Sequence, residues 1–161
     1  MKLVDIKDYK GLYSFDLNTN KVWSHKHKKY IKEYIHKGYY CLSLSNNYKR
    51  KMFLFHRLIY QYHNLDKDIT NLCIDHIDRN KLNNNIENLR ISTYSENSCN
   101  KKVRNDNKFG IKNITLTKNN TYKVDITKNK NKYCKTFKTL EEAIEYKKIK
   151  LNELHGEYAN L

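Results

Sequence analysis

Long apolar runs are missing from this sequence of 161 residues. No run reaches the about 18 apolar residues of a membrane-spanning helix, which excludes such a helix. The segment MKLVDIKDYKG lacks the apolar core of a secretory signal peptide, so we expect an intracellular protein in the cytoplasm or nucleus of its host cell. A virus, a phage and a mobile element stay open as its source. The four cysteines lie far apart with no C-x-x-C pair, which disfavours a zinc knuckle and favours reduced thiols.

Acidic residues are scarce beside basic ones. The chain carries 32 lysines and arginines against 17 aspartates and glutamates, a net charge of +15. A charge of that size indicates a polyanionic partner, with DNA, RNA and an anionic membrane surface as candidates. An AT-rich genome, whose codons favour lysine and asparagine, is the alternative explanation.

The charge is concentrated in two flanks. Residues 1–53 carry 12 basic and 4 acidic side chains, net +8, and residues 101–161 carry 15 basic and 7 acidic, also net +8. Residues 54–100 carry 5 basic and 6 acidic, net −1. Codon drift alone would spread lysine more evenly. The distribution therefore favours two DNA-binding flanks around a centre that can tolerate a bound metal ion.

The first flank is typical of short strands followed by a helix. The predicted strands are LYSFDL (12–17), VWSH (22–25), GYYCLSLS (38–45) and KMFLF (51–55). In the next segment, 56–63, Leu58, Ile59 and Tyr62 fall on one helical face. This pattern predicts a small sheet with a helix behind it.

The central segment, 73–100, contains the residues with the most chemical potential. A short strand ends in Asp75 and His76, an asparagine-dense loop leads to a second strand at 89–91, and a helix is predicted near Thr93 because Thr93 and Glu96 form a capping-box pattern. This order of elements brings Asp75 and His76 close to Asn97. Carboxylate and amide oxygens suit a hard cation such as Mg²⁺, and histidine can act as a base. Taken alone, the Asp-His pair is also compatible with ordinary turn chemistry.

The second flank predicts a sheet backed by a helix. Alternating apolar residues mark three strands: Ile114 and Leu116, then Tyr122, Val124 and Ile126, then Tyr133 and Phe137. A capping box at Thr139 and Glu142 starts a helix to about residue 154, whose inward stripe is Leu140, Ala143, Ile144, Leu151 and Leu154, interrupted by Lys147. Residues 101–138 carry net +10 and residues 139–161 net −2. The sheet would therefore present a cationic side that can enter the DNA major groove, and a solvated lysine-rich sheet is the alternative.

The string D-H-I-D-x-N-K-x-N-N-x-I-E-N-L-R, followed by S-E-N-x-x-N, closely resembles the HNH homing-endonuclease family with its ββα-metal site. The likeness covers about 54–100. It implies a nuclease that hydrolyses phosphodiester bonds in double-stranded DNA with a divalent metal, Mg²⁺ or Mn²⁺ in its place, and leaves 5′-phosphate and 3′-hydroxyl ends. It also implies Asp75 and Asn97 as metal ligands, His76 as general base and Asn88 as a brace of the loop. His56 and His63 are interpreted as structural or close to DNA, with structural favoured.

The two flanks carry looser likenesses. G-x-Y near 11–13, GYYCLSL and F-H-R-L-I resemble a small nuclease-associated module, and T-F-x-T-x-E-E-A with G-E-Y-A-N resembles the plant-type Apetala-two DNA-binding domain. The latter likeness implies DNA contacts from one set of residues: Lys112, Asn113, Thr115, Lys123, Thr127 and Lys132. We expect an α+β protein with a β-rich module at 1–53, an HNH core at 54–100, a basic linker at 101–108 and a DNA-binding domain at 109–161, whose three-stranded antiparallel sheet packs on one helix.

Two other functions stay open at this point. A DNA-binding regulator could keep the HNH fold without cleaving, and an RNA-binding protein is disfavoured because nothing resembles an aromatic base-stacking signature. We expect no membrane partner and no small-molecule cofactor. The target sequence, nicking against double-strand cleavage and the oligomeric state cannot be predicted.

Overall fold

The computed structural model describes residues 1–100, 103 and 110–159, apart from the side chain of Glu157. The chain forms two compact units, Met1–Ile91 and Ser92–Leu161. Within the described residues, no helix is long and apolar enough to cross a membrane. The predicted linker at 101–108 lies outside the described residues except for Val103. The predicted module boundaries stay predictions.

The first unit contains two antiparallel sheets. One has the order β1-β2-β3-β4, with β1 at Leu3–Asp5, β2 at Tyr13–Asp16, β3 at Lys21–Ser24 and β4 at Lys29–Tyr30. The other has the order β5-β6-β7, with β5 at Tyr34–His36, β6 at Tyr39–Asn46 and β7 at Lys49–Leu54. The four predicted strands are confirmed. The sequence did not predict β1, β4 and β5, because these two- and three-residue strands are mostly exposed and show no buried alternation.

One hydrophobic core joins these sheets to helix α1, Phe55–His63. Phe15 of β2 is fully buried and stacks on Tyr62 of α1, with ring centroids 4.9 Å apart. The helix buries Leu58, Ile59 and Tyr62, which confirms the predicted apolar face. Each large apolar side chain buried in this way contributes about 2 kcal/mol to folding. The same core includes Ile74 and Leu89, which fix the next two strands.

Those two strands are β8, Cys73–His76, and β9, Leu89–Ser92, and they pair as a two-stranded sheet. An asparagine-rich loop and a short 3₁₀ turn at Ile86–Asn88 join them. Helix α2, Tyr94–Cys99, follows β9 and begins with the predicted capping box between Thr93 and Glu96. The strand–loop–strand–helix order predicted for this segment is confirmed.

In the second unit, strands β10 (Ile114–Leu116), β11 (Tyr122–Lys128) and β12 (Asn131–Phe137) form an antiparallel sheet in that order. Helix α3, Leu140–His155, starts at the predicted Thr139–Glu142 capping box and packs on β11 and β12. All five residues of the predicted inward stripe pack in this core, with Ala143 and Leu151 buried and Leu140, Ile144 and Leu154 partly buried. The helix also buries Lys147 and His155. Lys147 does not interrupt the stripe by turning outward: it is only 7% exposed, and desolvation lowers the pKa of its ammonium group. Its long aliphatic stem can lie along apolar surface, which the one-letter pattern does not show.

Candidate active site

The end of β8 places two ionisable side chains inside the first unit. Asp75 is 6% exposed and His76 is 5% exposed. Neighbouring side chains on a strand point to opposite faces, so both faces of β8 are covered here. A protein rarely buries two such groups at adjacent positions unless partners compensate them.

Arg90 of β9 is the partner of Asp75. Its Nε and Nη2 atoms both donate to Oδ2 of Asp75, each at 3.1 Å. Both side chains are largely buried, so the guanidinium offsets the cost of placing the carboxylate there. The pair also fixes the orientation of the carboxylate.

Asn84 is the partner of His76. Nε2 of His76 lies 3.0 Å from Oδ1 of Asn84. An amide oxygen accepts hydrogen bonds, so this contact suits the tautomer with the ring proton on Nε2. In that tautomer Nδ1 is the basic nitrogen of the ring.

The rings of His56 and Tyr39 lie next to His76. The ring centroid of His56 lies 4.9 Å from that of His76, and Tyr39 lies 5.4 Å from His56 and 6.2 Å from His76. Desolvation, together with the nearby His76 and Arg57, lowers the pKa of His56 to about 3. His56 is 4% exposed, and no described residue makes a hydrogen bond to its Nδ1. Its burial favours the structural interpretation over DNA contact. His63 is exposed, and its Nε2 lies 2.6 Å from Oδ1 of Asn20.

Asn88 connects two parts of the asparagine-rich loop through hydrogen bonds. Its side chain accepts from the amide of Asp78 at 3.0 Å and donates to the carbonyl of Asn83 at 2.8 Å. Desolvation raises the pKa of Asp78, but hydrogen bonds from Asn83, the Asn80 amide and Asn88 outweigh it, and the net shift is downward. An ionised Asp78 therefore organises the asparagine-rich turn that carries Asn84.

The predicted metal ligands lie on different units. Asp75 ends β8 in the first unit, and Asn97 lies on α2 in the second. Their convergence stays a prediction. The described residues contain no group of three or more His, Cys, Asp or Glu side chains that could hold a metal. A single carboxylate with one amide oxygen nevertheless fits Mg²⁺, which binds through one or two carboxylates and keeps water and phosphate oxygens as its other ligands.

Comparison with known proteins bears on the same segment. A family model described as HNH endonuclease matches residues 53–99, which include Asp75, His76, Asn88 and Asn97. A mimivirus protein, "Uncharacterized HNH endonuclease L560" of Acanthamoeba polyphaga mimivirus, is 38% identical over 105 residues, which are 65% of this chain and 54% of that protein. "Protein 3.8" of Escherichia phage T7 is 32% identical over 87 residues, 53% of this chain and 72% of the phage protein. The chain belongs to the HNH endonuclease family.

Two further matches extend this likeness. "Uncharacterized HNH endonuclease L245" of the same mimivirus is 36% identical over 126 residues, 78% of this chain and 35% of that protein. A solved structure described as "DNA binding and cleavage by the HNH homing endonuclease I-HmuI" is 39% identical, with a TM-score of 0.53 over 61% of this chain and 56% of that one. This HNH chain therefore spans about half the length of one mimivirus relative and about a third of the other.

The six predicted DNA contacts of this HNH protein divide into two groups. Strand register places Thr115 opposite Lys123 and Thr127 opposite Lys132, all on the sheet face opposite the buried Val124 and Ile126. Asp125 lies on the same outer face, with its Oδ2 3.7 Å from Nζ of Lys123 and 3.0 Å from Nζ of Lys132.

The other two predicted contacts, Lys112 and Asn113, have partners inside the second unit. Nζ of Lys112 donates to the carbonyls of Ser98 and Cys99, at 3.0 and 2.7 Å. Asn113 has a positive φ of 66°, and its side-chain amide donates to the carbonyl of Asp125 at 2.9 Å. Both side chains hold the fold together at these contacts.

Two residues of the site escaped the sequence analysis, Arg90 and Asn84, and a third, His56, was considered there without its contact with His76. A signal existed for Arg90, because a lone arginine on the strand predicted to pair with that of Asp75 is the natural counter-ion for a buried carboxylate. Asn84 stands in a run of three asparagines, N-N-N at 83–85, and nothing in the sequence distinguishes it from its neighbours. The contact of His56 with His76 depends on tertiary packing alone.

Proposed function

We propose that this protein is a metal-dependent endonuclease that hydrolyses phosphodiester bonds in double-stranded DNA. The observation that carries the proposal is the buried Asp75–His76 pair at the end of β8, fixed by Arg90 and Asn84 within the segment that matches the HNH family. The similarity to I-HmuI, whose structure is described as showing DNA binding and cleavage, supports the same substrate class.

In this proposal His76 is the general base. It takes a proton from water at Nδ1 while the water oxygen attacks phosphorus and the bond to the 3′ oxygen breaks. The leaving 3′ oxyanion takes a proton from solvent, so the products are a 5′-phosphate and a 3′-hydroxyl. Asn84 keeps Nε2 protonated and the ring in place throughout. A divalent metal, Mg²⁺ or Mn²⁺, would neutralise charge on the phosphate and the leaving oxygen, with Asp75 and Asn97 as its protein ligands.

The outer face of the C-terminal sheet is the proposed DNA surface. Residues 101–138 carry 12 basic and 2 acidic side chains, net +10, and the face presents Thr115, Lys123, Thr127 and Lys132 together. The DNA major groove is wide enough to admit β-strands, and lysines on those strands can contact the phosphates along its edges. Asp125 already pairs with two of these lysines, so phosphate must compete with that carboxylate.

A DNA-binding regulator without cleavage is the second candidate, and one observation favours it. Arg90 engages Oδ2 of Asp75, an oxygen that a cation would otherwise use. Incubation with supercoiled plasmid separates the two functions. A nuclease gives relaxed or linear product with Mg²⁺ or Mn²⁺ and none with EDTA, whereas a regulator shifts the plasmid in a gel and leaves it supercoiled with every metal.

We infer a viral or phage source from the relatives in a mimivirus and in phage T7. Cytoplasm and nucleus of the host cell stay open as the site of action.

A further inference from the structure

Helix α2 is too short to be stable by itself. It has six residues, and isolated helices of this length do not persist in water. Its first turn is held by the capping box between Thr93 and Glu96, with hydrogen bonds in both directions. Contacts with other parts of the chain must therefore stabilise its last turn.

Lys112 supplies the first of these contacts. Its ammonium group donates to the carbonyls of Ser98 and Cys99, which belong to the last turn of α2. Carbonyls at a helix C-terminus lack intrahelical partners and carry the negative end of the helix dipole. A lysine at this place satisfies both needs at once.

His155 supplies the second contact. It is the last residue of α3 and is 4% exposed, and its ring nitrogens lie 3.3 and 3.4 Å from Sγ of Cys99. The end of α2 therefore rests on the end of α3, within the same compact unit as the C-terminal sheet.

We propose that Lys112 and His155 are positioning residues for Asn97, so that the C-terminal unit sets how tightly the nuclease holds its metal. Asn97 directly precedes Ser98, one of the two residues whose carbonyls Lys112 binds. Loosening the last turn of α2 would displace the Asn97 amide oxygen. This inference rests on the proposed function, in which Asn97 is a metal ligand, and it assigns Lys112 to α2 instead of to DNA.

The test uses three variants of the full chain. Lys112→Met removes the ammonium donor, Lys112→Arg restores a cationic donor, and Lys118→Met removes the same charge from an exposed turn between β10 and β11. Three quantities are measured for each: the metal concentration for half-maximal plasmid cleavage, the DNA affinity, and the hydrogen-exchange rate of the backbone amides of α2.

We expect Lys112→Met to raise the half-maximal metal concentration about 10-fold, the usual effect of losing a group that orients a metal ligand. Cleavage at saturating metal and DNA affinity should match Lys118→Met, the α2 amides should exchange faster, and Lys112→Arg should recover most of the loss. A Lys112→Met protein with unchanged metal dependence and unchanged α2 exchange overturns this inference and leaves the proposed function standing. A Lys112→Met protein that loses only DNA affinity does the same. A wild-type protein that never cleaves overturns the proposed function and this inference with it.

Discussion

The end of β8 and the outer face of the C-terminal sheet differ in how their ionisable side chains are buried and paired. Asp75 and His76 are buried, and each has a specific partner that fixes its geometry, Arg90 and Asn84. On the sheet, Lys123 and Lys132 are 41% and 60% exposed and share one carboxylate, Asp125. Buried pairs are sensitive to the loss of one partner, whereas exposed ion pairs contribute little and are screened by salt. Cleavage should therefore depend on single buried residues such as His76. DNA affinity should depend on the sum of many exposed lysines.

Replacement of His76 should have the largest effect. His76→Ala should slow cleavage by about 10²- to 10⁴-fold, the usual contribution of a general base. DNA affinity should stay at the wild-type level, because the His76 side chain is buried and the lysine contacts with phosphate are unchanged. Single-turnover cleavage and a gel-shift titration on the same DNA measure the two quantities. Cleavage by His76→Ala at the wild-type rate would contradict the assignment.

Loss of Arg90 should mainly reduce stability. Arg90→Met leaves the Asp75 carboxylate buried without its guanidinium, and the free energy of unfolding should fall by about 3 kcal/mol. Urea unfolding checks this value. The matched control Arg50→Met, at an exposed position of β7, should change it by less than about 0.5 kcal/mol. Adding Asp75→Asn to Arg90→Met should recover part of the loss, and no recovery would show that the carboxylate is not the source of the cost.

His56 should make the first unit sensitive to acid. Its pKa is about 3 in the folded protein against 6.5 for the free side chain, so the unfolded chain binds more protons between these values. The stability due to neutral His56 is therefore present above pH 6.5 and is lost as the pH falls toward 3, by at most about 1.4 kcal/mol per pH unit. Between pH 7 and pH 5, wild type should lose up to about 2 kcal/mol more than His56→Phe in urea unfolding. Equal losses in the two proteins would mean that His56 is protonated in the folded state.

Single lysines of the sheet face should have the smallest effects. Lys123→Met or Lys132→Met should each reduce the slope of log affinity against log salt by about 0.9, the value for one phosphate contact. Cleavage at saturating DNA should stay unchanged. Fluorescence anisotropy at several salt concentrations measures the slope, with Lys118→Met as the charge-matched control. A slope equal to that of the control would remove that lysine from the DNA surface.

Local patterns in the sequence predicted the longer elements of the fold. Period-two alternation and capping boxes are local signals, and they predicted the longer strands, α2 and α3. Short exposed strands such as β1 and β5 carry no such signal. Asp75 and His76 were found because the motif around them is contiguous in sequence.

The residues that hold the site required tertiary information. Arg90 lies 15 residues from Asp75 and Asn84 lies 8 from His76, so their contacts depend on strand pairing and on the path of the loop. A charge pattern does not show whether a lysine such as Lys112 faces solvent or the end of a helix. Its contacts with Ser98 and Cys99 could only come from the folded unit.

The most direct measurement is a metal titration of cleavage by Asp75→Asn, Asn97→Ala and the double variant, each compared with wild type. If both residues hold one metal, each single variant should need more metal for half-maximal cleavage. The double variant should then need little more than the worse single one, because the second change acts on a site already lost. Titration curves of both single variants that overlay the wild-type curve would contradict a shared metal site in this protein.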